Sequence, residues 1–162
     1  MKIKKLLLFA TILFLGLALQ AQPYNNGIGI RLGNYHGNGG ITFKHFMGGD
    51  RALEFIGHFP YHGFVLHGLY EFEKPINSVP NLNWLIGGGL FVANWDNYYY
   101  NKNKYHEGDR YTVFGLDFIL GLEYALQQAP FTFQLDWKPS WAINGDYGMW
   151  GDDVSLSIRF TF

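Results

Sequence analysis

The sequence predicts an all-β chain, specifically an eight-stranded antiparallel up-and-down transmembrane β-barrel. Three observations carry that expectation. Apolar residues recur at every second position in eight runs, charged residues within the runs gather on the opposite parity, and glycine concentrates on the charged parity. Alternation at period two marks strands with one apolar face, and no segment beyond residue 21 shows a helical period.

Composition sets the outer limits. The chain has 162 residues, 15 Phe, 11 Tyr, 5 Trp, 12 basic and 13 acidic residues and no Cys. This length suits one domain, and the absence of Cys removes disulfide frameworks and thiolate metal sites. A formal charge of -1 lacks the basic footprint of a nucleic-acid binder. The aromatic content gives the chain ample apolar surface to bury, which argues against disorder.

Residues 1–21 read as a signal peptide and residues 22–162 as the barrel domain. Lys2, Lys4 and Lys5 precede an apolar run from Leu6 to Leu19, and Ala21 offers a small residue at the cleavage point. The apolar run is shorter than the ~20 residues of a spanning helix. The strands are expected over 24–34, 38–47, 51–60, 63–73, 82–95, 110–125, 131–141 and 153–162, separated by clusters of Gly, Asn, Asp and Pro.

Splitting the runs by parity puts Ile28, Ile30, Leu32, Phe55, Leu66, Leu90, Leu116, Phe118, Leu135 and Leu156 on one face. The other face takes Arg31, Lys44, Glu54, Glu71, Glu73, Asp117, Glu123, Asp136, Lys138 and Arg159, together with His58 and His67. His45 alone breaks the pattern. A soluble calyx and a membrane barrel share this alternation with inside and outside exchanged. Gly27, Gly29, Gly33, Gly40, Gly87, Gly89, Gly115 and Gly121 lie on the polar face. There they leave room inside a narrow tube, whereas on a solvated exterior they would only weaken the strands. The polar face is therefore expected inside and the apolar face in lipid.

Loop lengths fit one orientation. With the N-terminus on the periplasmic side, the long connections 96–109 and 142–152 fall outside the cell, as in outer-membrane barrels. Aromatics then gather at two heights: Tyr70, Phe72, Trp84, Tyr124, Phe131, Phe160 and Phe162 at the periplasmic rim, and Phe59, Phe64, Trp95, Tyr111 and Trp141 at the outer rim. Two such girdles suit a bilayer with two interfaces.

The leader, the eight alternating strands and the terminal Val154-x-Leu156-x-Ile158-x-Phe160-x-Phe162 resemble the small eight-stranded outer-membrane β-barrel proteins of Gram-negative bacteria. The resemblance spans the chain after the leader. It implies an exported, monomeric, porin-like outer-membrane protein at the cell surface, surrounded by outer-membrane lipid and lipopolysaccharide. It further implies that the barrel-assembly machinery reads the last strand through C-terminal Phe162. Activity does not follow, because such barrels include adhesins, anchors, small channels and lipid-modifying enzymes.

Residue chemistry narrows the roles. Arg31, Lys44, Glu54, Glu71, Asp117, Glu123, Asp136 and Arg159 should pair across the lumen as a salt-bridged plug, since an unpaired buried charge is costly. His58 and His67 face inward near the outer end, but no third ligand accompanies them, so neither a metal nor any other cofactor is expected. The alternatives are a small channel and a lipid A-modifying enzyme. Among Ser78, Ser140, Ser155 and Ser157, only Ser140 sits at the outer rim, where His58 or His62 would have to act as its base, and no local motif supports that pairing. The Tyr98, Tyr99, Tyr100 and Tyr105 loop, interleaved with Asn, has the composition of a binding surface. The acidic segment 144–153 lacks the oxygen spacing of a calcium loop. The expected role is structural or surface interaction, without catalysis.

Overall fold

Each alternating run becomes a strand, and each strand finds its neighbours in chain order. The structure is a computed structural model that describes residues 24–33, 39–60, 63–96, 110–144, 148–151 and 153–162. Its elements are β1 (Asn26–Gly33), β2 (Gly40–Gly48), β3 (Arg51–His58), β4 (Gly63–Pro75), β5 (Leu82–Asp96), β6 (Arg110–Ala125), β7 (Phe131–Trp137), β8 (Ser140–Ala142), β9 (Met149–Trp150) and β10 (Val154–Thr161). Residues 1–21, expected as a signal peptide, and the expected binding segment from Tyr98 to Tyr105 lie outside the described residues.

Consecutive strands pair antiparallel from β1 through β7, and β10 pairs with both β7 and β1. That last pairing closes the sheet, with Gly27 opposite Thr161 and Gly33 opposite Ser155. The short β8 and β9 continue the last two staves beyond a break at Lys138-Pro139 and 151–153. The result is a closed eight-stranded antiparallel barrel. Closure satisfies the backbone groups that an open edge would leave unpaired.

The first described residues, the C-terminus and the connections after β2, β4 and β6 share one end. At the β2–β3 hairpin Gly48 and Gly49 have φ of 89° and 64°, values a side chain disfavours. Lumen glycines serve two purposes. A Cβ on Gly29 would fall 1.8 Å from the carbonyl oxygen of Ile158, so this position admits the backbone of the neighbouring strand. At Gly33 the added atom would instead collide first with the side chain of Ser155, whose Cβ would be 2.7 Å away, which is the room for lumen side chains that the sequence suggested.

Faces sort as parity indicates. Ile28, Leu90, Leu116 and Leu135 are each half or more exposed around the outside, whereas Arg31, Lys44, Glu54, Glu71, Asp117, Glu123, Asp136 and Arg159 are buried inside. Three details differ. Arg51 is a charged residue on the outward face, at the terminal end of β3. Trp95 does not join an outer girdle; odd positions of β5 turn inward, and it packs against a lumen cluster of Val65, Phe91, Ala93, Val113 and Ala142. Trp150, expected in a loop, packs there too. Between β7–β8 and β9–β10 the partners run from Trp137↔Val154 to Ser140↔Trp150, with two residues between them on one strand and three on the other. The extra residue is a bulge, and it lets both Asp153 and Trp150 turn inward.

Candidate functional site in the barrel lumen

Inward positions of β1, β2, β3, β4, β6, β7 and β10 deliver the charges to one tube, where an eight-stranded barrel is narrow enough for side chains to fill it. They form two linked networks. Toward the terminal end, Lys44 Nζ reaches Glu71 at 2.9 Å, Glu73 at 2.7 Å and Glu123 at 3.0 Å. Arg159 pairs with Glu54 and, at 3.1 Å, with Glu123. Tyr24 donates its hydroxyl to Glu123 at 2.8 Å, and Thr42 donates to Glu54 at 2.6 Å.

Toward the loop end, Arg31 makes a two-pronged contact with Asp136 at 2.8 and 2.6 Å and lies 3.4 Å from Asp153. Lys138 reaches Asp153 at 3.0 Å. Asp117 accepts from Ser140 at 2.5 Å and lies 2.7 Å from Nδ1 of His67. His67 meets His58 edge to face with ring centroids 5.6 Å apart. Gln134 joins the two networks. Its Oε1 accepts from Lys44 and Arg159 at 3.1 and 2.9 Å, while its Nε2 donates to Asp136 at 2.9 Å.

The opposite wall is apolar. Ile56, Leu69, Leu85 and Ile119 pack together within the barrel. Above them Trp150 contacts Phe91 at 5.5 Å and Trp95 at 6.1 Å between ring centroids. These three rings pack together at the loop end of the lumen.

All eight network residues named from the sequence enter one or other network. Asp153, Gln134, Thr42 and Tyr24 were missed. The first three lie on the lumen parity of their runs, so alternation alone was enough to find them, whereas Tyr24 precedes the first clear alternation. Ser140, expected near the outer rim, is buried in the lumen and its hydroxyl donates to a carboxylate. Ser155 likewise donates inward, to Asp153 at 2.6 Å. His45 faces outward beside Asn26, 2.8 Å from its side-chain oxygen. Among the described residues no group of three or more His, Asp or Glu side chains is placed to hold a metal ion.

In sequence, no protein-family model and no curated protein matches this chain. In structure, it is similar to the N-terminal β-barrel domain of OprF from Pseudomonas aeruginosa, with a TM-score of 0.65 and 20% identity over 87% of this chain and 100% of that one. Chain order, pairing and this likeness agree on the fold: a closed, eight-stranded, antiparallel β-barrel.

Proposed function

We propose that this chain is an integral outer-membrane protein of a Gram-negative cell, a porin-like barrel whose filled polar lumen makes it a structural or surface-interaction protein without catalytic activity. The observation that carries the reading is the inversion of the usual order of a soluble protein. Leu, Ile and Phe rows ring the outside, while Arg31, Lys44, Lys138 and Arg159 are buried at no more than 1% exposure. Water rewards the opposite arrangement, and hydrocarbon rewards this one.

Residues 1–21 act as the export signal in this reading, and bilayer lipid with lipopolysaccharide surrounds the mature barrel. The segment containing Tyr98, Tyr99, Tyr100 and Tyr105 is the contact surface for a partner outside the cell. The ion pairs and the packed rings of Phe91, Trp95 and Trp150 support a lumen closed to steady ion flow. The non-catalytic reading is supported by Ser140, whose hydroxyl donates to Asp117 and not to an imidazole.

Cell fractionation with a heat-shift on electrophoresis tests location. The chain is expected in the outer-membrane fraction, with an unheated band of different mobility from the heated one; recovery as a soluble protein overturns the reading. Steady conductance in planar bilayers would replace the closed lumen with a channel, and altered lipid A acylation abolished by Ser140→Ala would replace it with an enzyme.

A further inference from the structure

We propose that the outward face where β3 begins and β4 ends binds the phosphate headgroup of an anionic glycerophospholipid, held between Arg51 and Lys74. This site deepens the membrane reading above and rests on it. Alternation places the two side chains outside: Ala52 and Glu73 are buried in the lumen, and Arg51 and Lys74 beside them are exposed.

Register brings them together. Arg51 stands opposite Phe72, and Lys74 is the next outward residue along β4. The backbone N–H of Glu73 donates to the carbonyl of Asp50 at 2.8 Å, which holds the two strand ends side by side. Diagonal neighbours on one face of a sheet have Cβ atoms ~7–8 Å apart or slightly less, so two long basic side chains there flank a group of phosphate size. Arg presents a planar fork of donors to phosphate oxygens and Lys a point charge.

The surroundings suit a headgroup. Tyr70, Phe72 and Trp84 are exposed just inside the two cations, Tyr70 and Phe72 meet edge to face at 5.2 Å, and Trp84 is the register partner of Lys74. Aromatic rings below and cations above is the order in which a strand leaves hydrocarbon for the headgroup layer. The one nearby carboxylate, Asp50, lies 3.9 Å from Lys74 with both side chains 55% exposed, too loose to occupy it. Arg51 has no ion pair among the described residues. At the opposite rim the described outward positions, Phe59, Phe64, Trp141, Ile143 and Met149, carry no charge.

Fluorescence quenching by brominated lipids reads this site through Trp84. The full barrel is inserted into phosphatidylcholine vesicles containing either brominated phosphatidylglycerol or brominated phosphatidylcholine, and the part of the quenching lost in Trp84→Phe is taken as the local signal. Brominated phosphatidylglycerol is expected to be favoured by up to roughly 25-fold, roughly 5-fold from each cation. The Arg51→Gln/Lys74→Gln variant is expected to lose that preference, and Asp50→Asn to increase it. Both substituted side chains are exposed, so the heat-shift on electrophoresis should remain and report that the variants still fold. Insertion without a preference for phosphatidylglycerol, or a preference that survives the double substitution, overturns this site alone. Failure to enter vesicles of either composition overturns the membrane reading and the site with it.

Discussion

Replacing Arg31 by Met isolates the energetics of the lumen. The Arg31 side chain is fully buried and serves two carboxylates, Asp136 at 2.8 and 2.6 Å and Asp153 at 3.4 Å. The two are not equally dependent on it. Asp153 keeps Lys138 at 3.0 Å and Ser155 at 2.6 Å, whereas Asp136 keeps only the neutral amide of Gln134 at 2.9 Å. Arg31→Met therefore leaves one carboxylate buried without a cation, and breaking a buried pair in this way costs about 3–5 kcal/mol. Arg31→Met/Asp136→Leu removes the stranded charge as well, and it should recover about half of that loss or more, because well-packed apolar replacements of a buried pair are often close to neutral. Asp153→Asn leaves the Arg31–Asp136 contact in place, and Lys138 keeps the new amide oxygen and Asp117 at 3.9 Å, so its loss should be smaller than that of Arg31→Met. Reversible urea unfolding in detergent micelles, followed by tryptophan fluorescence, measures all three, together with Asp136→Leu alone. A loss below about 1 kcal/mol for Arg31→Met, or a double variant whose loss equals the two single losses added together, would refute the reasoning, since coupled partners are non-additive.

Three further outcomes follow from the same geometry. Leu116 lies near the centre of the 16-residue β6, outward between Leu90 and Trp141; Leu116→Arg should destabilise the barrel in lipid by ~2–4 kcal/mol in the same unfolding assay, the range for a cation at the bilayer midplane. Gly29→Ala sets a methyl group 1.8 Å from the Ile158 carbonyl oxygen, so the seam between β1 and β10 must part; a loss of ~1–3 kcal/mol is expected from unfolding, as for other overpacked sites. Trp150→Ala uncovers Phe91 and Trp95 at the loop end of the lumen, and planar-bilayer recordings should show more frequent conductance events than the unsubstituted barrel gives.

Alternation made the strands and the two faces legible, because in a barrel each side chain has only an inside and an outside to choose from. Leu116 and Asp117 could be assigned to opposite faces with no knowledge of the fold. What alternation omits is which inward residues meet across the tube. Lys44 and Glu123 are far apart in sequence yet 3.0 Å apart in space, and only the closed circle of strands brings them together. The apolar wall of Ile56, Leu69, Leu85 and Ile119 was hidden for a related reason. Those residues share the parity of the charges, and a face defined by its charges draws attention from its apolar members. Trp150 was beyond reach, since one bulge reverses parity locally and nothing in Gly151 to Asp153 announces it. Ser140 was expected near the rim because it follows Pro139 at the end of its run, whereas β8 continues the stave and keeps Ser140 over Asp117.

The lipid-facing assignment can be measured residue by residue. No cysteine occurs in the chain, so a single spin label can be placed in turn at Phe114, Leu116, Phe118 and Leu120, and at Val113, Asp117 and Ile119, in barrels reconstituted into vesicles. Collision with oxygen, which concentrates in hydrocarbon, and with a water-soluble nickel complex then reports the surroundings of each site. Labels at the four even positions are expected to meet oxygen freely and nickel hardly at all, with low oxygen access at the odd ones. Even positions open to nickel and closed to oxygen would mean that water surrounds the Leu and Phe rows, which contradicts a barrel seated in a bilayer.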